Sequence, residues 1–229
     1  MVVFNWRYAL GELTLIVAGI SIALAANSWY EDQIDRATET EYLERLHAAL
    51  SADISTFSGF EKILDTKAKT LKALSIETVP SLLSVGADDL MRDLNYSVFK
   101  ALPASNSTVF EELQNTGNLA LLSDSSVRDA LAQYYSGYKL MSGILSEPGG
   151  GYREILRSSL PGGAAHDWWI DGQSMDESRL RHGLETMLSH PEIELAINSE
   201  LFYTADMKFY LRLYKTRAIE LRTILKEML

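Results

Sequence analysis

In Ser136-Gly-Tyr-Lys139 a serine stands three residues ahead of a lysine, the spacing at which some acyl-transferring enzymes let an amine take a hydroxyl proton. Ser123-Asp124-Ser125 faintly echoes the second motif of such enzymes. The order is wrong, because that element should follow the first, and Lys215-Thr216 runs into Arg217 where the third motif needs glycine. On a helix, Ser136 and Lys139 are more simply surface neighbours. The histidines His47, His166, His182 and His190 show neither H-x-x-x-H nor H-E-x-x-H spacing, so each reads as a solvated or satisfied side chain. Gly149-Gly150-Gly151 follows Pro148 but has no preceding strand and no Lys-Ser/Thr, so it reads as a turn and not as a phosphate loop. No catalytic, cofactor-binding or metal-ligating set is expected. The chain reads as non-enzymatic, with no cofactor.

The element that must position everything else is the opening stretch, "WRYALGELTLIVAGISIALAANSWYED". From Tyr8 to Trp29 its one charge is Glu12, and 22 helical residues reach about 33 Å, the thickness of a hydrocarbon core. Trp6 and Tyr8 precede the run and Trp29 and Tyr30 follow it, where amphipathic rings favour the headgroup level. A cleavable signal peptide is the rival reading, with Arg7 as a thin positive start and Ala23-Leu24-Ala25 as a cleavage pattern. The apolar run is long for that role, and an uncleaved anchor is expected. The expected organisation is a short tail over 1–7, a transmembrane anchor over 8–29 and a helical extramembrane domain over 30–229. Arg7 before the span, against Glu31, Asp32 and Asp35 after it, favours a cytoplasmic N-terminus and a periplasmic body in a bacterial inner membrane.

Gly11, Thr14, Ala18, Ser21, Ala25 and Ser28 recur at steps of three and four, which puts small residues on one stripe of the anchor. Gly19, Ala23 and Ala26 form a second small strip beside Glu12. Leu13, Ile16, Val17, Ile20 and Leu24 gather on the remaining side. Small faces let helix backbones approach in lipid, where packing drives association. The expected contact face is therefore Gly11, Glu12, Thr14, Ala18, Gly19, Ser21 and Ala25, meeting another membrane protein or a second copy. Glu12 either snorkels towards the interface or meets a donor on a partner helix.

Beyond the anchor about 200 residues remain, enough for one domain with its own core. A net charge of −10 argues against nucleic acid or an anionic lipid surface as the main partner, and the absence of cysteine excludes a disulfide frame. Leu43, Leu50, Phe57, Leu64 and Leu71 recur every seven residues, with Leu46, Phe60 and Leu74 beside them. This predicts a long helix from about Glu31 to Ile76, with the anchor as its natural continuation and Gly59 as the place for a bend. Pro80 and Gly86 mark a turn, and a helix from Asp88 to about Phe99 follows. Ser107 or Thr108 is placed to cap a short helix ending at Gly117, and Asp124 to cap one running through Tyr134 and Tyr135 towards Leu145. A helix from Asp176 to Ser189 and a last one opened by Pro191 complete the chain. No segment alternates as a strand does. The fold class is all-α: one transmembrane helix, then an antiparallel helical bundle. In "HDWWIDG", Trp168 and Trp169 are either a partner-contact loop or a plug for one end of the bundle.

Two blocks resemble an uncharacterised bacterial family of single-pass membrane proteins, a domain of unknown function. The first is carried by Tyr8, Gly11, Glu12, Gly19, Ile20, Ala23, Leu24, Asn27 and Trp29. The second, in "FEELQNTGNLALLSDSSVRDALAQYY", is carried by Phe110, Glu112, Leu113, Gly117, Asn118, Leu119, Leu131, Tyr134 and Tyr135. Members of that family often have a longer basic tail before the anchor than this chain. The resemblance implies an envelope protein with one anchor. An accessory or scaffolding subunit of a membrane complex is the expected function, and a helical ligand-binding or sensor module acting through another subunit is the alternative.

Overall fold

The computed structural model describes residues 6–145, 151–160 and 174–229, and no strand occurs among them. The helices are α1 (Trp6–Ile76), α2 (Val79–Leu83), α3 (Ala87–Ser97), α4 (Thr108–Asn115), a 3-10 turn (Asn118–Leu121), α5 (Ser125–Ile144), α6 (Tyr152–Ser159), α7 (Glu177–Leu188) and α8 (Ile193–Met228). The Trp168 and Trp169 loop lies outside the described residues.

The apolar N-terminal stretch and the body share one helix. α1 runs for 71 residues, about 107 Å at 1.5 Å per residue, because no proline precedes Pro80 and the seven-residue repeat from Leu43 to Leu71 keeps one phase. It continues through Gly59, where a bend was expected, without interruption. Its N-terminal part contains an 18-residue window of mean hydropathy 1.5, none of it buried, long and apolar enough to cross a membrane. Farther along, burial alternates with the seven-residue repeat: Leu43, Leu46, Leu50, Phe57, Leu64, Leu71 and Leu74 are all buried. Each such side chain contributes about 1.5–3 kcal/mol against exposure.

α8 lies against this stretch. Glu61 accepts from Arg212 and from Lys215, both at 2.6 Å, Lys208 pairs with Asp65, and Lys67 meets Glu200 at 2.5 Å. Partner numbers fall on α8 as they rise on α1, so the two helices are antiparallel. Exposed pairs of this kind add little stability each but fix the register. The core falls into two clusters. One gathers Tyr42 to Leu64 of α1 with α4, α5 and Met207 to Leu225 of α8. The other gathers Leu71 and Leu74 with α2, α3, α6, α7 and Ile193 to Ile197.

The smaller helices begin and end as their sequences direct. Asp124 accepts from the Ser126 and Val127 amides at the head of α5, and Asp176 accepts from Ser178 and Arg179 at the head of α7. Gly117 has φ 76°, the left-handed form that glycine adopts freely after a helix. Ser107 holds the cap position of α4, yet its hydroxyl donates to the Glu111 carboxylate at 2.8 Å and accepts no amide. The expected turn around Pro80 contains a single helical turn, α2, with Pro80 in its first positions, where the missing N–H costs nothing.

Candidate functional site

Residues 98–107, between α3 and α4, are the longest stretch of described chain with no helix, so their backbone groups must find partners elsewhere. Charged and phenolic side chains supply them. The Lys67 ammonium donates to Phe99 O, Tyr203 Oη donates to Lys100 O at 2.9 Å, and Tyr138 Oη donates to Pro103 O at 2.5 Å. At the far end the Asn106 backbone N–H donates to Asp53 Oδ1 at 2.7 Å, with the Asn106 side chain on the same oxygen at 3.1 Å. Tyr134 Oη donates to Asp53 Oδ2 at 2.8 Å. The segment is a strap, tied at both ends to buried charges of α1.

Both charges are fully enclosed. Lys67 is 0% exposed and its partner Glu200 1%. The Lys67 nitrogen also lies 5.4 Å from the centre of the Tyr203 ring, within range for a cation–π contact. Burial pushes the Lys67 ammonium below its ordinary value, opposed by the Glu200 carboxylate. Burial likewise raises the Asp53 carboxyl, and its bonds from Asn106 and Tyr134 only partly offset this. Tyr134 titrates far above a free phenol because it is buried and faces Asp53. Lys67 and Glu200 fall between the two apolar clusters in both helices, so an ionic layer divides the core. Beside it Ser97 Oγ and Tyr152 Oη share a 2.7 Å hydrogen bond.

A third tie is at the surface. Arg45 Nη1 and Nη2 grip Glu112 at 3.1 and 2.5 Å, and Tyr42 Oη donates to the same carboxylate at 3.0 Å. This two-pronged geometry clamps α4 to α1 and holds the Glu112 carboxyl below the usual range. Phe110 and Leu113 are buried on either side of it, and Tyr135 stacks on Phe110 with centroids 5.0 Å apart.

Two surface hollows flank these ties. A cleft of about 590 Å³ is lined by Ser105, Ser107, Glu111, Tyr135, Ser136 and Lys139 among others. A groove of about 640 Å³ runs between α1 and α8, with Ala68, Lys72, Leu201, Ala205, Phe209 and Arg212 in its wall. Ser136 and Lys139 therefore share one cleft. Ser136 spends its hydroxyl proton on Ala132 O, and Lys139 is exposed. Among the described residues no three His, Cys, Asp or Glu side chains come together as a metal site.

Gly11, Glu12, Thr14, Ala18, Gly19, Ser21 and Ala25 all lie on the N-terminal part of α1, and from Glu12 to Ala25 every residue is exposed. A Cβ at Gly19 would meet nothing within 4 Å. The apolar repeat pointed to Leu46, Phe60 and Leu74 on one row of α1, and that row also holds Asp53 and Lys67. A charge on the core row of a heptad was the signal for both buried sites. Their partners Asn106, Tyr134 and Glu200 carried no comparable mark. No family model, curated protein or solved structure matches this chain.

Proposed function

We propose that this chain is a non-enzymatic, membrane-anchored interaction protein, an accessory or scaffolding subunit of a bacterial membrane complex, akin to the single-pass family its two blocks resemble. In this reading the N-terminus is cytoplasmic and the body is a periplasmic antiparallel bundle. The observation that carries it is the continuity of α1 from Trp6 to Ile76. The apolar window contributes nothing to the body's core, none of it being buried. Its whole surface is left for lipid and partner helices, including the face of Gly11, Glu12, Thr14, Ala18, Gly19, Ser21 and Ala25. Whatever grips that face holds the body at one height and one rotation, because no joint intervenes. Leucine at Gly19 and Ser21 tests the reading. The substitutions keep the span apolar but bar close helix approach, so the associated membrane protein should be lost from gently extracted material while the chain stays in the membrane. Unchanged association would remove the contact face from the account.

The sensor alternative draws on the cleft, where serine hydroxyls, Glu111 and Lys139 ring an aromatic floor. A true small ligand would raise the melting temperature in proportion to the logarithm of its concentration above Kd.

A further inference from the structure

Tyr134, Tyr135 and Tyr138 are all buried on α5, but only two of their hydroxyls are spent. Tyr134 Oη donates to Asp53 and Tyr138 Oη to Pro103 O. Tyr135 is 4% exposed, and its hydroxyl is shut off from solvent with no hydrogen-bond partner. Buried polar groups are nearly always paired, so this one is a donor that lacks its acceptor. Tyr135 stands in the wall of the 590 Å³ cleft, whose size lies within the roughly 300–1,000 Å³ range of small-molecule sites. The same wall holds two opposite charges that do not meet. Lys139, from α5, has no counter-charge among the described residues. Glu111, from α4, accepts from Ser107 Oγ at 2.8 Å and from no cation among them. Every other side chain lining the cleft is uncharged.

We propose that this cleft binds a small zwitterion, a free amino acid or short peptide without a charged side chain. Its carboxylate meets Lys139 and the Tyr135 hydroxyl, and its ammonium meets Glu111. The proposal rests on the ligand-binding alternative above and gives it a chemical class. A lone anion would lose at Glu111 what it gains at Lys139, and a lone cation the reverse, whereas one molecule carrying both charges gains at both. A sugar fits less well, because Phe110, Tyr135 and Tyr138 are buried and leave no open ring face to stack on. Exposed charges by themselves bind weakly. An acceptor that reaches the Tyr135 donor adds more, because it pairs a group the fold leaves unpaired. Reaching it calls for a side-chain shift in the wall, of the kind common on binding. One lip of the cleft is already fixed. Ser105 and Ser107 belong to the strap, which Tyr138 and Asp53 hold at Pro103 and Asn106, and a lip held in place lowers the ordering cost of binding.

Thermal unfolding of the full chain in detergent tests this, with each amino acid of uncharged side chain and the dipeptide glycylglycine as probes. At least one should raise Tm in proportion to the logarithm of its concentration above Kd. A rise with free amino acids assigns the free form, and a rise with glycylglycine alone assigns a peptide. The N-acetyl and carboxamide derivatives of the probe that binds each lack one charge and should bind at least about tenfold more weakly. Lys139→Gln and Glu111→Gln should weaken the zwitterion by a similar factor. Tyr135→Phe should also lose affinity while leaving the unliganded protein at least as stable as wild type, since it deletes a donor without a partner. A purely structural tyrosine would show the reverse, lower stability with affinity unchanged, and would overturn the proposal. No rise with any probe would overturn the proposal and the sensor reading together. A rise that survives undiminished in Lys139→Gln and Glu111→Gln would put the ligand elsewhere and overturn the cleft as its site. Charge-blocked derivatives that bind as well as their parent would overturn the zwitterion and leave the sensor reading standing.

Discussion

Removing Glu200 alone should destabilise the protein far more than removing it together with Lys67. In the Glu200→Leu variant the Lys67 ammonium keeps only Phe99 O and the face of Tyr203. A buried charge left in that state costs about 3–5 kcal/mol. Lys67→Met strands the Glu200 carboxylate, which is 1% exposed, at a similar cost. It also leaves Phe99 O without its donor, worth about 1–3 kcal/mol. The double variant removes both charges and retains only the carbonyl penalty, offset by better apolar packing in the layer between the two clusters. It should lie within about 2 kcal/mol of wild type, giving a coupling energy of at least about 4 kcal/mol. Urea unfolding of all four full-length chains in the same detergent, followed by circular dichroism, measures this directly. Single effects that simply add would refute the reasoning, because they would mean the two charges are solvated independently.

Asp53→Asn tests the other buried charge, since an amide can accept from Asn106 and donate to Tyr134 Oη. The native carboxyl is raised above its ordinary value of 3.8, so the folded protein holds that proton more tightly and loses stability as pH climbs from there through the raised value. The substituted amide has no proton to lose, so the variant should gain on wild type between pH 3 and pH 7; a constant difference would mean that burial does not raise this group. Gly137→Ala places a Cβ 2.7 Å from Tyr214 Oη, whereas Gly59→Ala meets nothing. The first should destabilise by about 1–3 kcal/mol as Tyr214 is displaced and the second stabilise by about 0.5–1 kcal/mol, read from urea midpoints. Equal effects would remove the close approach of α5 and α8.

The helices were legible where one periodic signal dominates. The Leu43-to-Leu71 repeat, the Asp124 cap and the left-handed Gly117 each reflect a local rule, and the structure follows them. The strap was not legible, because its bonds join α1 to residues 32 and 53 positions away and nothing local at Phe99 or Asn106 calls for a lysine or an aspartate. Asp53 and Lys67 did leave a trace as charges on an apolar row. The apolar repeat draws attention to the leucines, and the exceptions within it are where the fold is tied. The Ser107 side chain does not cap because its backbone is already helical (φ −80°, ψ −6°) where a capping residue is extended, and its hydroxyl turns to Glu111 one turn on. Between α4 and α5, Phe110, Leu113 and Leu131 fill the core while Glu112 and Tyr134 hold α4 and the strap.

The central claim is that the chain works as a subunit of a larger membrane assembly. Gentle extraction from native membranes, with the particle mass measured and every co-migrating protein identified, tests it most directly. The account predicts a particle well above the 25.6 kDa chain that contains at least one other membrane protein. A chain that runs alone, or only with copies of itself, would contradict the accessory-subunit reading.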